Sequence, residues 1–153
     1  MSRSKPLADL RRLAALPPDE RALLGRALVA ATVVEIGVRC LPLAALANTL
    51  GIALDSASAD DERAGTTATG TPTLARAAVA VDRVYRRWPF KATCLRRALT
   101  LGALLRREQP LLRLGVRRNA SAIEAHAWLV VAGREVGAAP QNDGYRRLRV
   151  AAG

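Results

Sequence analysis

The sequence predicts an α+β fold, helices packed on a small antiparallel sheet, on three observations. Apolar residues recur at helical spacing through the first two thirds of the chain. From Leu111 onward the period changes to two. Half of the residues are hydrophobic but only 3% are aromatic, so the core is built from Leu, Val and Ala, a composition that favours helices over a sandwich of β-branched strands. At 153 residues there is room for one compact domain with one core.

A short helix is expected over about Pro6 to Ala15. Pro17-Pro18-Asp19-Glu20 then supplies a helix start with acidic residues in its first turn. Leu23, Leu24, Ala27, Leu28, Ala31, Val34 and Val38 follow as one apolar stripe. Arg26 and Glu35 interrupt the run from Ala22 to Val38, which makes it an amphipathic helix rather than a membrane span. Pro42 opens a further helix that Gly51 stops. Asp55 to Pro72 is small and polar and reads as a flexible linker. The chain therefore divides into a helical segment 1–54, a linker 55–72 and a region 73–153, all within one compact unit.

Leu74, Ala77, Ala78, Val81, Val84 and Tyr85 mark a helix ended by Trp88-Pro89. Thr93 caps another from about Cys94 to Arg107, in which Ala98 and Gly102 allow close approach to a sheet. Leu112, Leu114 and Val116 then alternate with Arg113, Gly115 and Arg117 as a strand. A second strand covers Ala122 to Val131, and Ala132-Gly133 turns it into Arg134 to Ala138. Tyr145 to Val150 adds a last short strand.

The formal net charge is +11, carried mostly by arginines that often occur in pairs, such as Arg86-Arg87 and Arg96-Arg97. The pairs are scattered, lack interleaved aromatics and form no reading motif, so nucleic acid is not the expected partner. They read as a solvated arginine-rich face, suited secondarily to an acidic peptide or protein. No secretory signal is visible and neither cysteine has metal-type spacing. The expectation is a reduced, cytoplasmic protein without metal or cofactor.

Two residues stand out for chemistry. Cys94 falls at a helix N-terminus after the irregular WPFKAT segment, where free backbone N–H groups favour thiolate over thiol; Lys91 acts in the same sense. His126 is the only histidine, on the extended Glu124 to Val130 stretch, sharing a face with Trp128 and Val130 while Ala125, Ala127, Leu129 and Val131 share the other. A cysteine opening a helix and a histidine on a later strand is how a thiol gains a distant general base. Cys40, late in an apolar helix, reads as packing.

WPFKATCLRRAL at 88–99, LGVR at 114–117 and AHAW at 125–128 resemble the transglutaminase-like leader peptidases of lasso peptide biosynthesis, in particular the stand-alone peptidase half of a split protein. The resemblance extends to the LPPDERALLGRAL and RCLPL stretches. It implies a transglutaminase-like, papain-like cysteine peptidase fold, with residues 73–153 as the catalytic region. It implies cleavage of a precursor peptide between leader and core, Cys94 attacking and His126 moving the proton. The Cys94 N–H and the Trp88 indole or a nearby amide are the oxyanion donors to consider. The implied partners are the precursor peptide, a separate leader-recognition protein and the lasso cyclase.

The acid that orients the histidine is the weak match. Relatives carry it on the strand after the histidine strand, where this chain has none facing His126. Asp143 is the candidate. Glu135 would sit opposite Val130, and Gln141 or Asn142 are amide alternatives. Two other readings stay open: a non-catalytic transglutaminase-like scaffold or basic nucleic-acid-binding module, and an acyl transferase using the same thioester.

Overall fold

The computed structural model describes residues 15–55, 72–119, 122–136 and 144–148. The expected Pro6–Ala15 helix and residues 56–71 of the linker therefore fall essentially outside the described residues. Helix α1 (Pro18–Cys40) starts with Pro18 in its first turn, where a missing N–H costs nothing, and carries Asp19 and Glu20 there. It ends because Leu41, before Pro42, is extended. Its buried seam is Ala27, Ala31 and Val34, with Glu35 and Gly37. Leu28, expected inside, is 52% exposed. The small alanines let α1 lie close against its neighbours, and Leu28 is one position, about 100° of helix, away from that seam.

Helix α2 (Leu43–Thr49) follows, closed by Gly51 at φ +72°. A Cβ on Gly37 would collide with the Leu46 side chain, so α1 and α2 meet side chain against backbone. Helix α3 (Pro72–Tyr85) ends just before Trp88-Pro89. Helix α4 (Cys94–Leu104) stops three residues short of expectation: Leu105 donates to both Leu101 and Gly102, and the chain tightens into a single 3₁₀ turn at Arg106–Glu108.

The sheet comprises β1 (Ala53–Leu54), β2 (Leu111–Asn119), β3 (Ala122–Val131), β4 (Arg134–Val136) and β5 (Arg146–Arg147), in the order β1-β2-β3-β4 with β5 also on β2. The antiparallel sheet expected from sequence is present in β2–β5, with one parallel addition at its edge. The two-residue β1 runs parallel to β2, Ala53 opposite Leu111, which makes the sheet mixed. Asp55, assigned from sequence to the linker, extends this edge: its N–H donates to the Leu112 carbonyl and its carboxylate accepts from buried Arg113 at 2.9 Å. Ala132 (φ 50°) and Gly133 (φ 76°) form the β3–β4 turn, both in the left-handed region such a two-residue hairpin requires.

Helix α4 packs on one face of β2 and β3, and α1 and α3 pack against α4 and each other. Leu99, Leu112, Leu129, Leu46 and Val34 form the fully buried centre. Gly102 admits the approach: a Cβ there would lie 2.5 Å from Ile52 Cδ1 and 3.4 Å from Leu129. The side chains of Ala127, Leu129 and Val131 thus face the helices. Strand alternation sends His126, Trp128 and Val130 the other way.

Candidate active site

Cys94 is the first residue of α4. Thr93 is extended (φ −80°, ψ 156°), and its Oγ1 accepts from the Arg96 N–H at 3.3 Å, so the expected cap is present. The first turn is fixed from two other sides. Arg96 donates through Nε to Glu35 of α1 at 2.8 Å, and the Tyr85 hydroxyl reaches the Arg96 carbonyl at 3.1 Å and Thr100 Oγ1 at 2.8 Å. Burial alone would raise the Glu35 carboxyl pKa. The hydrogen bond and charge of Arg96, with Arg39 at 2.7 Å, outweigh it and hold the group below its usual value. The helix carrying the thiol is therefore anchored at its N-terminal turn.

Cys94 lines a narrow cavity of about 100 Å³ between α3, α4 and β3, with Val81, Ala98 and Leu101 as apolar wall. His126 and Trp128 border the same cavity along β3. The His126 ring, however, is on the far side of the strand. It stacks on Trp128 at 5.9 Å between centroids and meets Tyr145 at 5.4 Å. The Trp128 ring in turn covers Gly115, the cross-strand partner of His126, where a Cβ would come within 3.0 Å of it. Among the described residues no hydrogen bond joins Cys94 to His126. The two residues are neighbours at one cavity, with their side chains on different faces of β3.

Burial, then the Arg117 charge, lowers the His126 pKa from its ordinary 6.5, against a smaller upward pull from Glu135. The imidazole is accordingly neutral at neutral pH, the form that accepts a proton. Glu135 pairs with Val130, as its position in the hairpin implies, and so lies on the His126 face. Asp143, Gln141 and Asn142 lie outside the described residues. Trp88 belongs to a different region: it packs on Tyr85 and Phe90 beside α1 and is absent from the lining of the Cys94 cavity.

Two features of the site escaped the sequence. Asp82 lines the Cys94 cavity, tied to Arg97 at 2.7 Å, and nothing at a spacing of fifteen residues announces that pair. Tyr145 closes over His126 and Trp128 while the Arg117 guanidinium, 4.7 Å from its ring, holds Glu124 at 2.7 Å. The scarcity of aromatics was its signal, for the chain has only two tyrosines and two tryptophans.

In this α+β fold a half-buried thiol opens a capped helix that packs on the sheet, with a histidine on the strand beneath. Residues 37–150 match the Transglutaminase-like superfamily, and the chain belongs to that superfamily, which includes cysteine peptidases. No curated protein and no solved structure matches it. No helix among the described residues is long and apolar enough to cross a membrane.

Proposed function

We propose that this protein is a cysteine peptidase that removes the leader from a ribosomally made lasso precursor peptide. The observation that carries the proposal is Cys94 at the N-terminus of α4, on a cavity that His126 borders, in a chain of this superfamily. The Cys94 thiolate attacks the scissile carbonyl and forms an acyl-enzyme. His126 takes the thiol proton and passes it to the leaving amine, and water then releases the acid. Asp143 is proposed to orient the imidazole. A separate leader-recognition protein presents the precursor, and the cyclase consumes the freed core.

This chemistry needs the His126 ring on the Cys94 side of β3. A change of rotamer does not carry a side chain through a sheet, whereas a one-residue shift in strand register reverses its face. The observed stacking on Trp128 favours a second reading, a non-catalytic transglutaminase-like scaffold in the same biosynthetic assembly.

Incubation with the precursor peptide, with and without the recognition protein, followed by mass spectrometry, separates the two. The peptidase releases a leader fragment, Cys94→Ala abolishes that release, and His126→Ala slows it by roughly 10²–10⁴-fold. A Cys94→Ala variant that cleaves as fast as the parent overturns the peptidase. If Cys94→Ala is dead while His126→Ala is unimpaired, thiol chemistry stands and its base lies elsewhere.

A further inference from the structure

Arg96, in the first turn of the helix that Cys94 opens, is held through three of its own groups. Its N–H donates to the Thr93 cap, and its carbonyl accepts from the Tyr85 hydroxyl. Its guanidinium grips Glu35 twice, through Nε at 2.8 Å and Nη2 at 3.4 Å. The first two contacts lie within α4 and its neighbour α3, whereas the third reaches back to α1. Glu35 is 5% exposed, the only buried acidic side chain among the described residues. The Trp88 indole, which borders the same cavity beside α1, further favours its ionised form. Trp88 and Arg96 stand at the two ends of the irregular stretch that delivers Cys94. One carboxylate of α1 therefore sits against both ends of it.

We infer that Glu35 is a positioning residue for Cys94: by holding Arg96 it fixes the first turn of α4, and with it the placement of the thiol in its cavity. Glu35 touches neither substrate nor reacting atoms and acts through Arg96. The Arg96 side chain is mostly buried, so without the carboxylate its charge is left uncompensated and is drawn toward water, taking the turn with it. The free N–H groups of a first turn activate a thiol only while they are aimed at it. A misplacement of about 1 Å is enough to slow a reaction roughly 10²-fold. The inference rests on Cys94 being the reactive thiol of the proposed peptidase. Glu35 precedes residue 37, where the superfamily match begins, so the carboxylate itself lies outside the matched region.

The test uses the full chain carrying Cys40→Ser, so that Cys94 is its one thiol, well below the unfolding midpoint of every variant. Alkylation of Cys94 by iodoacetamide at neutral pH is followed by mass spectrometry. Glu35→Gln is expected to slow it at least about fivefold and Arg96→Gln severalfold. The double variant should be no slower than Glu35→Gln, because both changes break one contact. Val34→Ala removes core volume at the neighbouring position of α1; it should lower the unfolding midpoint and leave the alkylation rate unchanged. With the precursor peptide, Glu35→Gln should lower kcat and leave KM unchanged. A parent that alkylates but cleaves nothing removes the proposed function, and the alkylation rates still decide this inference. An unchanged rate in Glu35→Gln, an equal loss in Val34→Ala, or losses that multiply in the double variant overturns it. So does a parent Cys94 inert to iodoacetamide, or a raised KM with kcat unchanged. If Glu35→Gln does not fold, Arg96→Lys takes its place, keeping the charge beside Glu35 but not the two-point grip. It should alkylate severalfold more slowly than the parent, and a rate equal to the parent's overturns the inference.

Discussion

At Cys94 and His126 the chain shows what residue-level chemistry does and does not reveal. The cap at Thr93 and the placement of Cys94 as first helical residue follow from local preference, and both were legible in the sequence. Thr93→Ala should cost about 1 kcal/mol in denaturant unfolding, the usual loss for a side-chain cap. The grouping of Ala127, Leu129 and Val131 against His126, Trp128 and Val130 was legible too, because a strand alternates. Which of the two groups the helices cover is decided by distant packing, and alternation carries no information on it. His126 supplies a pH test. Its folded pKa is depressed, so above about pH 6.5 both folded and unfolded chains hold it neutral and it contributes no pH dependence. As the pH falls through that value the unfolded chain takes the proton first, and stability is lost. Thermal melts at pH 7.5 and 5.5 should show a larger drop for the parent than for His126→Gln.

Among the elements, α4 and the β2–β3 pair hold the fold in place. Gly102 was read as the point of close approach, and the packing of Ile52 and Leu129 on it supports that reading. Gly102→Ala should destabilise by about 1–3 kcal/mol through overpacking, despite the better helix propensity of alanine; chemical denaturation checks both sign and size. Leu129→Ala, which empties the fully buried centre, should cost about 2–5 kcal/mol in the same measurement. The elements the sequence did not reveal are those without a period. Ala53–Leu54 is two residues long, too short for alternation to register, and it pairs because the end of α2 delivers it beside Leu111. Leu28 belongs to an apolar stripe in the sequence but to an open groove in the structure. A helix with apolar residues on more than one face does not announce which of them its neighbours will cover.

Over the whole molecule, the excess of arginine is only partly used inside the fold. Arg96 and Arg113 hold partly or wholly buried carboxylates, and Arg97, Arg117, Arg39, Arg83 and Arg76 make ion pairs at more exposed positions. Binding of any acidic partner should therefore weaken steeply with ionic strength, while the unfolding midpoint changes much less, because exposed pairs contribute little to stability. The α+β class and most helix and strand positions came from periodicity and capping alone. The mixed sheet, the Asp82–Arg97 pair and the aromatic cluster at Tyr145 depend on contacts between segments far apart in the chain.

The Glu35–Arg96 pair has a practical consequence for where this protein can be cut. Homology to the superfamily begins at Gly37, two residues past that carboxylate and inside a helix that began at Pro18. A fragment trimmed to the homologous boundary would leave the Arg96 guanidinium without its counter-charge at the first turn of α4, and would strip Ala27, Ala31 and Val34 from the core. The matched segment is therefore shorter than the packed unit that includes Glu35. Expression trials should find that a fragment starting at residue 16 stays soluble, whereas one starting at residue 37 aggregates.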